Sequence, residues 1–127
     1  MRLVETHIEV ENTQRSLALY QKLIEHKDCL QWADGKVAAL VFNDGSAFGM
    51  WEKGHKGIYD GQGGLNVHFA FKIEEAEYND CKDRIIEAGL EPLEYNWESG
   101  HKSVYFFDYD GHQGEFITGN WIELNNL

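Results

Sequence analysis

Near the start of the chain Val4, Ile8 and Val10 fall on one side of an extended segment. Glu5, His7 and Glu9 fall on the other, the period of two that marks a half-buried strand. Asn12 or Thr13 is placed to cap a helix in which Leu17, Tyr20 and Ile24 recur at spacings of three and four. Its apolar stripe is expected to cover the strand's apolar face. The pattern then returns: Leu65, Val67, Phe69 and Phe71 alternate with Asn66, His68 and Ala70, and Tyr78, Cys81 and Ile85 repeat the helical stripe up to Gly89. Adding 61 to His7 gives His68, and adding 61 to Leu17, Tyr20 and Ile24 gives Tyr78, Cys81 and Ile85, so strand and helix are expected to keep register.

Strand signals broken by turns follow each helix. They run from Cys29 to Ala33, Lys36 to Asn43 and Ala47 to Glu52, then from Glu91 to Trp97, Ser103 to Asp108 and Gln113 to Thr118. Each half reads βαβββ. The turns Asp44-Gly45 and Asp110-Gly111 precede the two last strands and differ by 66 residues, so the second half carries a longer loop, where His101 sits. The expected plan is one α+β domain over 1–127, with module one at 1–53, a linker at 54–64, module two at 65–118 and a C-terminal tail at 119–127. Five glycines and no apolar period mark the stretch from Gly54 to Gly64 as a crossover. A phosphate-cradling loop is excluded there, because no Gly-Lys-Ser/Thr follows and no strand-to-helix setting exists.

The alternation also assigns faces. His7 and His68 lie opposite the helices, and Gln113, Glu115 and Ile117 share a face while Phe116 points the other way. Two imidazoles and a carboxylate converging on concave sheet faces suit a divalent transition metal and leave coordination positions open. Glu9 shares the face of His7 and is a candidate general base or additional ligand; the alternative is an exposed strand-edge carboxylate. Trp51, on the face of Gly49, is placed to wall a cavity, and Trp32, Trp97 and Trp121 offer further flat surfaces for ligands or packing. His26, His55, His101 and His112 fall at loops or helix ends and read as surface residues.

Charge narrows the partners. With 22 acidic against 11 basic side chains the formal net charge is −11, a field that repels nucleic-acid backbones and anionic lipid and gathers cations. Cys29 and Cys81 form no CxxC pair, no stretch reaches membrane-span length, and the first ten residues lack a signal-peptide apolar run. A cytoplasmic protein is expected.

The stretch Tyr105-Phe106-Phe107-Asp108-Tyr109-Asp110-Gly111-His112-Gln113-Gly114-Glu115-Phe116 resembles the closing motif of the vicinal oxygen chelate superfamily. That superfamily includes glyoxalase I, bleomycin-resistance proteins, fosfomycin-thiol transferases and extradiol dioxygenases. His7 and the segment Val67-His68-Phe69-Ala70-Phe71 are similar to its two histidine-bearing strands, and the likeness runs to Thr118; Tyr109 stands where the motif usually has proline. The resemblance implies two βαβββ modules, a homodimer with sites shared between chains, and a divalent metal (nickel, manganese, zinc or iron, unranked) on His7, His68 and Glu115. Gly49 occupies the position matching Glu115, where glyoxalase I places a fourth ligand. A three-ligand site is closer to the fosfomycin-thiol transferases, and Ser99, Ser103 and Tyr105 fall where that group turns oxygens toward its phosphonate. The chain departs from that group at Glu9, where a threonine is usual, at Tyr95, where a lysine is frequent, and in having no arginine after Glu115. Two functions compete: a metal-dependent lyase, isomerase or thiol transferase acting on a small oxygen-chelating substrate, and a metal-free protein of the bleomycin-resistance kind binding a cationic aromatic drug.

Overall fold

The computed structural model describes residues 1–54 and 67–126. Contacts divide the chain into two compact units, Met1–Leu65 and Asn66–Leu127. In the first unit β1 (Glu5–Val10), α1 (Thr13–Leu23), β2 (Asp28–Trp32), β3 (Val37–Val41) and β4 (Ala47–Glu52) follow in order. The sheet runs β1-β4-β3-β2, with β1 parallel to β4 and the other pairs antiparallel. In the second unit β5 (His68–Lys72), α2 (Tyr78–Glu87), β6 (Leu93–Asn96), β7 (Lys102–Phe107) and β8 (Gln113–Ile117) form the sheet β5-β8-β7-β6 with the same pairing. Two such mixed sheets, each with a helix, are the α+β architecture expected of two βαβββ modules. Leu65, Asn66 and all of the expected linker except Gly54 lie outside the described residues.

Helix α1 starts where the sequence places it, because the Asn12 side chain accepts the Arg15 N–H at 3.0 Å and satisfies one of the orphan amides of the first turn. Its apolar side meets β3, where Ala38 and Leu40 are buried, and β4, where Phe48 and Met50 are buried; Ile8 and Val10 of β1 are buried beside them, all at most 2% exposed. Burial of each larger side chain contributes roughly 1.5–3 kcal/mol, so the helix-facing side holds the unit together. In the second unit Tyr78, Cys81 and Ile85 of α2 cover Val104, Phe106 and Phe116 in the same way. The glycine at 114 is required there: a Cβ would stand 2.1 Å from Phe106 Cζ.

The leading strands differ from the register that the repeat implied. Ala47 and Gln113 each lie two residues beyond the glycine of their Asp-Gly turns, yet Ala47 pairs with Glu5 and Gln113 pairs with His68. Glu5, not His7, therefore occupies the place of His68, and His7 matches Ala70. In the helices Leu17 and Tyr20 match Tyr78 and Cys81 at the expected spacing, but Ile24 is the extended residue that ends α1, whereas Ile85 lies within α2. A 3-10 turn, Glu75–Glu77, capped reciprocally by Glu74 and Glu77, replaces the Asn12 cap and takes up the two-residue difference. The C-terminal tail also gains structure: Trp121–Asn125 is a short helix, α3, with a capping box between Asn120 and Glu123.

Candidate metal and substrate site

Each unit carries chemistry on the sheet face away from its helix. In the first, Glu5 and His7 of β1, Ala47, Gly49 and Trp51 of β4, Val37, Ala39 and Val41 of β3, and Leu30 and Trp32 of β2 line a cavity of about 500 Å³. That volume suits a small organic ligand, and the wall is apolar apart from the Glu5–His7 corner. No lysine or arginine is among these lining residues. The His7 ring lies over Gly49, where a Cβ would meet His7 Nδ1 at 2.7 Å, and packs against Trp51 with ring centroids 4.9 Å apart. His7 Nε2 stands 3.4 Å from Glu5 Oε2. Trp51 walls the cavity, with its indole N–H buried and without a hydrogen-bond partner among the described residues. Glu9 follows on the same strand and is exposed, but it is not among the lining residues.

In the second unit β5, β7 and β8 bring His68, Ser103, Tyr105 and Glu115 together. Glu115 is 4% exposed, and its Oε1 lies 3.1 Å from His68 Nε2. His68 Nδ1 is 3.1 Å from the Gln113 carbonyl oxygen. A carbonyl only accepts, so Nδ1 carries a proton, and Nε2 is the nitrogen turned toward the carboxylate. Two acceptors at that distance repel unless a proton or a metal ion lies between them. Two ligands of one ion, each at about 2.1 Å, stand roughly 3–3.4 Å apart, so this donor pair fits a metal, with the tautomer fixed by a backbone carbonyl as metal-bound imidazoles require.

A hydrogen-bond chain supports Glu115 from behind. The Trp97 indole N–H donates to Ser103 Oγ at 2.8 Å, and the Ser103 hydroxyl, fully buried, donates to Glu115 Oε2 at 2.5 Å. Tyr105 sits opposite Glu115 in the β7–β8 register with its ring 6.1 Å from that of His68. Burial, and then the negative charge of Glu115, push its hydroxyl above the usual tyrosine range, so it stays protonated and acts as a donor. Ser99 is not part of this cluster; its Oγ accepts the His101 N–H at 3.5 Å in the preceding turn.

Another donor set escaped the sequence reading. Asp108, Asp110 and His112 place ligand atoms within 4.8 Å of one another. His112, expected at the surface, is 8% exposed. Its Nδ1 lies 2.8 Å from Asp108 Oδ2, while Asp108 Oδ1 accepts the N–H groups of Asp110 and His112, so the buried ring is paired within the turn. The hydrogen bond that His112 donates to Asp108 raises the His112 pKa above the usual imidazole value. These bonds lock the Asp110-Gly111 turn that launches β8. A surface assignment failed because an i,i+4 Asp–His pair in a loop carries no periodic signal of burial.

No family model matches the chain. A fosfomycin resistance protein FosX from Mesorhizobium japonicum is 36% identical over 58 residues, 44% of this chain and 42% of that protein. A metallothiol transferase FosB from Shouchella clausii is 40% identical over 60 residues, 45% of this chain and 41% of the relative. The chain thus matches less than half the length of these curated relatives. Among solved structures, a lactoylglutathione lyase from Agrobacterium tumefaciens superposes with a TM-score of 0.78 at 17% identity, covering 99% of this chain and 97% of the other. A FosX from Listeria monocytogenes, solved with Mn(II) and 1S,2S-dihydroxypropylphosphonic acid, gives 0.74 at 19% identity, covering 98% and 94%. The fold is that of the glyoxalase, bleomycin-resistance and dihydroxybiphenyl-dioxygenase group, and the resemblance to the vicinal oxygen chelate superfamily is borne out.

Proposed function

We propose that this chain is a divalent-metal-dependent enzyme of the glyoxalase kind, in which His7, His68 and Glu115 hold the ion. The substrate would be a small molecule that offers the ion two oxygens. The observation that carries this reading is the approach of His68 Nε2 to Oε1 of the buried Glu115 carboxylate, at 3.1 Å. When bound, the ion supplies a Lewis acid that stabilises negative charge on substrate oxygen. Nickel, manganese, zinc and iron all suit two imidazoles and a carboxylate.

The chain's own residues have separate tasks in this scheme. Ser103, braced by Trp97, holds Glu115 in one orientation, and Tyr105 donates a hydrogen bond beside it. Trp51 walls the substrate cavity, Ser99 is a more distant polar contact for substrate, and Glu9, on β1 beyond the cavity lining, would accept a proton without holding the ion. A homodimer would share these sites between chains. The reaction would be of lyase or isomerase type, or thiol transfer as the names of the curated relatives suggest. The cavity's apolar wall and its want of a lysine or arginine suit an uncharged substrate body better than a phosphonate.

A second reading, metal-free binding of a cationic aromatic drug, draws support from Trp32, Trp51 and Glu5 in that same cavity. Metal analysis of protein purified without chelator separates the two. About one equivalent per chain supports the enzyme. Protein that arrives empty and takes up neither Mn(II) nor Ni(II) supports the binding protein.

Helices in the described residues are all too short and too polar to cross a membrane.

A further inference from the structure

We propose that Glu5 is a metal ligand, so that the first unit presents a carboxylate–imidazole pair, Glu5 and His7, matching the pair His68 and Glu115 of the second. The proposal rests on the metal-enzyme reading above and adds to it a donor from a position which that reading leaves unused.

Three observations support it. The first is position. Pairing with the last strand of each unit puts Glu5 where His68 stands, beside Ala47 and Gln113 respectively. His7 stands beside Gly49, as Ala70 stands beside Glu115. Each unit therefore offers one nitrogen and one oxygen donor, by different arrangements. The first takes both from neighbouring same-face positions of β1. The second takes them from β5 and β8.

The second observation is distance. Glu5 Oε2 and His7 Nε2 are 3.4 Å apart, long for an N–H···O hydrogen bond but within the roughly 3–3.4 Å expected of two donors on one ion. The third is space. Gly49 carries no side chain, and the His7 ring fills the place where a Cβ would stand. A carboxylate cannot approach from β4, and Glu5 reaches the imidazole along β1. Both Glu5 and His7 face the 500 Å³ cavity, whereas Glu9 does not line it.

Titration calorimetry with Mn(II) on the full chain tests the assignment, with Glu5→Gln, Glu5→His, Glu9→Gln and His68→Ala compared with wild type. Loss of a ligand is expected to weaken Mn(II) binding at least ~10-fold in Glu5→Gln, since even outer-shell changes cost about 10–100-fold. Glu5→His, which copies the donor at the matching position of the second unit, should recover most of that loss, and Glu9→Gln should stay within about twofold of wild type. Visible absorption of the Co(II)-loaded protein should change in Glu5→Gln, because a ligand has been exchanged. Circular dichroism confirms that each variant is folded. If His68→Ala loses Mn(II) while Glu5→Gln keeps it, Glu5 is not a ligand and the metal-enzyme reading stands. Equal losses in Glu5→Gln, Glu5→His and Glu9→Gln would reduce Glu5 to one charge in an acidic field. Unchanged binding in His68→Ala removes the metal reading and this proposal together.

Discussion

Replacing Ser103 by alanine removes one oxygen atom and breaks two hydrogen bonds in a fully buried place. The Trp97 indole N–H loses its acceptor at 2.8 Å, and Glu115 Oε2 loses the hydroxyl that holds it at 2.5 Å. A hydrogen bond to a charged group is worth about 1.5–3 kcal/mol, and an orphaned neutral donor that is only part-buried costs about 1 kcal/mol. Together they predict a loss of roughly 2.5–4 kcal/mol in unfolding free energy, measured by urea titration of the metal-free protein. Trp97→Phe removes only the first of these bonds and should cost about 1 kcal/mol beyond any change in ring packing against Tyr95 and Trp121. The two variants also separate stability from metal binding. Ser103→Ala frees the Glu115 carboxylate to rotate and should lower Mn(II) affinity about 10–100-fold, whereas Trp97→Phe leaves the serine donor in place and should lower it less. A Ser103→Ala protein that unfolds within about 0.5 kcal/mol of wild type and binds Mn(II) equally well would refute the supporting role given to this chain.

Three further outcomes are expected. His112 is bonded to Asp108 and its pKa is raised, so its stabilising contribution is full below the ordinary imidazole value of about 6.5 and fades as pH rises through the higher folded-state value. His112→Asn should flatten the stability profile over that window, and an unchanged slope would count against the pairing. Gly114→Ala places a methyl group 2.1 Å from Phe106 Cζ and should destabilise by about 1–3 kcal/mol or more, read from thermal unfolding; a neutral result would mean that the ring has room to move. Light scattering at micromolar concentration should give about twice the chain mass of 14.6 kDa, and a strict monomer would exclude sites shared between chains.

Period-two alternation made the faces legible, because side-chain direction in a strand follows directly from backbone geometry. Ile8 and Val10 are buried while His7 faces the cavity, and His68 and Glu115 meet on the open face of β5 and β8. The register was not legible. Counting from the helices fixed the stripe of Tyr78, Cys81 and Ile85, but the parallel pairing of β5 with β8 depends on a non-local bond from the Gln113 N–H to the Val67 carbonyl, which no spacing encodes. Glu5 was visible on the face of His7, yet only the pairing with Ala47 shows that it holds the position of His68. The burial of Ser103, though the residue itself was singled out, and of His112 was obscured for a related reason. Each is a polar residue buried by specific partners, Trp97 with Glu115 in one case and Asp108 in the other, and hydropathy alone reads such residues as solvated.

A cation held between His68 and Glu115, as proposed above, would account for the approach of these two side chains. Isothermal titration of Mn(II) into wild type, His68→Ala and Glu115→Ala measures this directly. Binding near one ion per chain is expected for wild type, with affinities at least ~10-fold weaker for both variants. The same weak binding in all three proteins would contradict it.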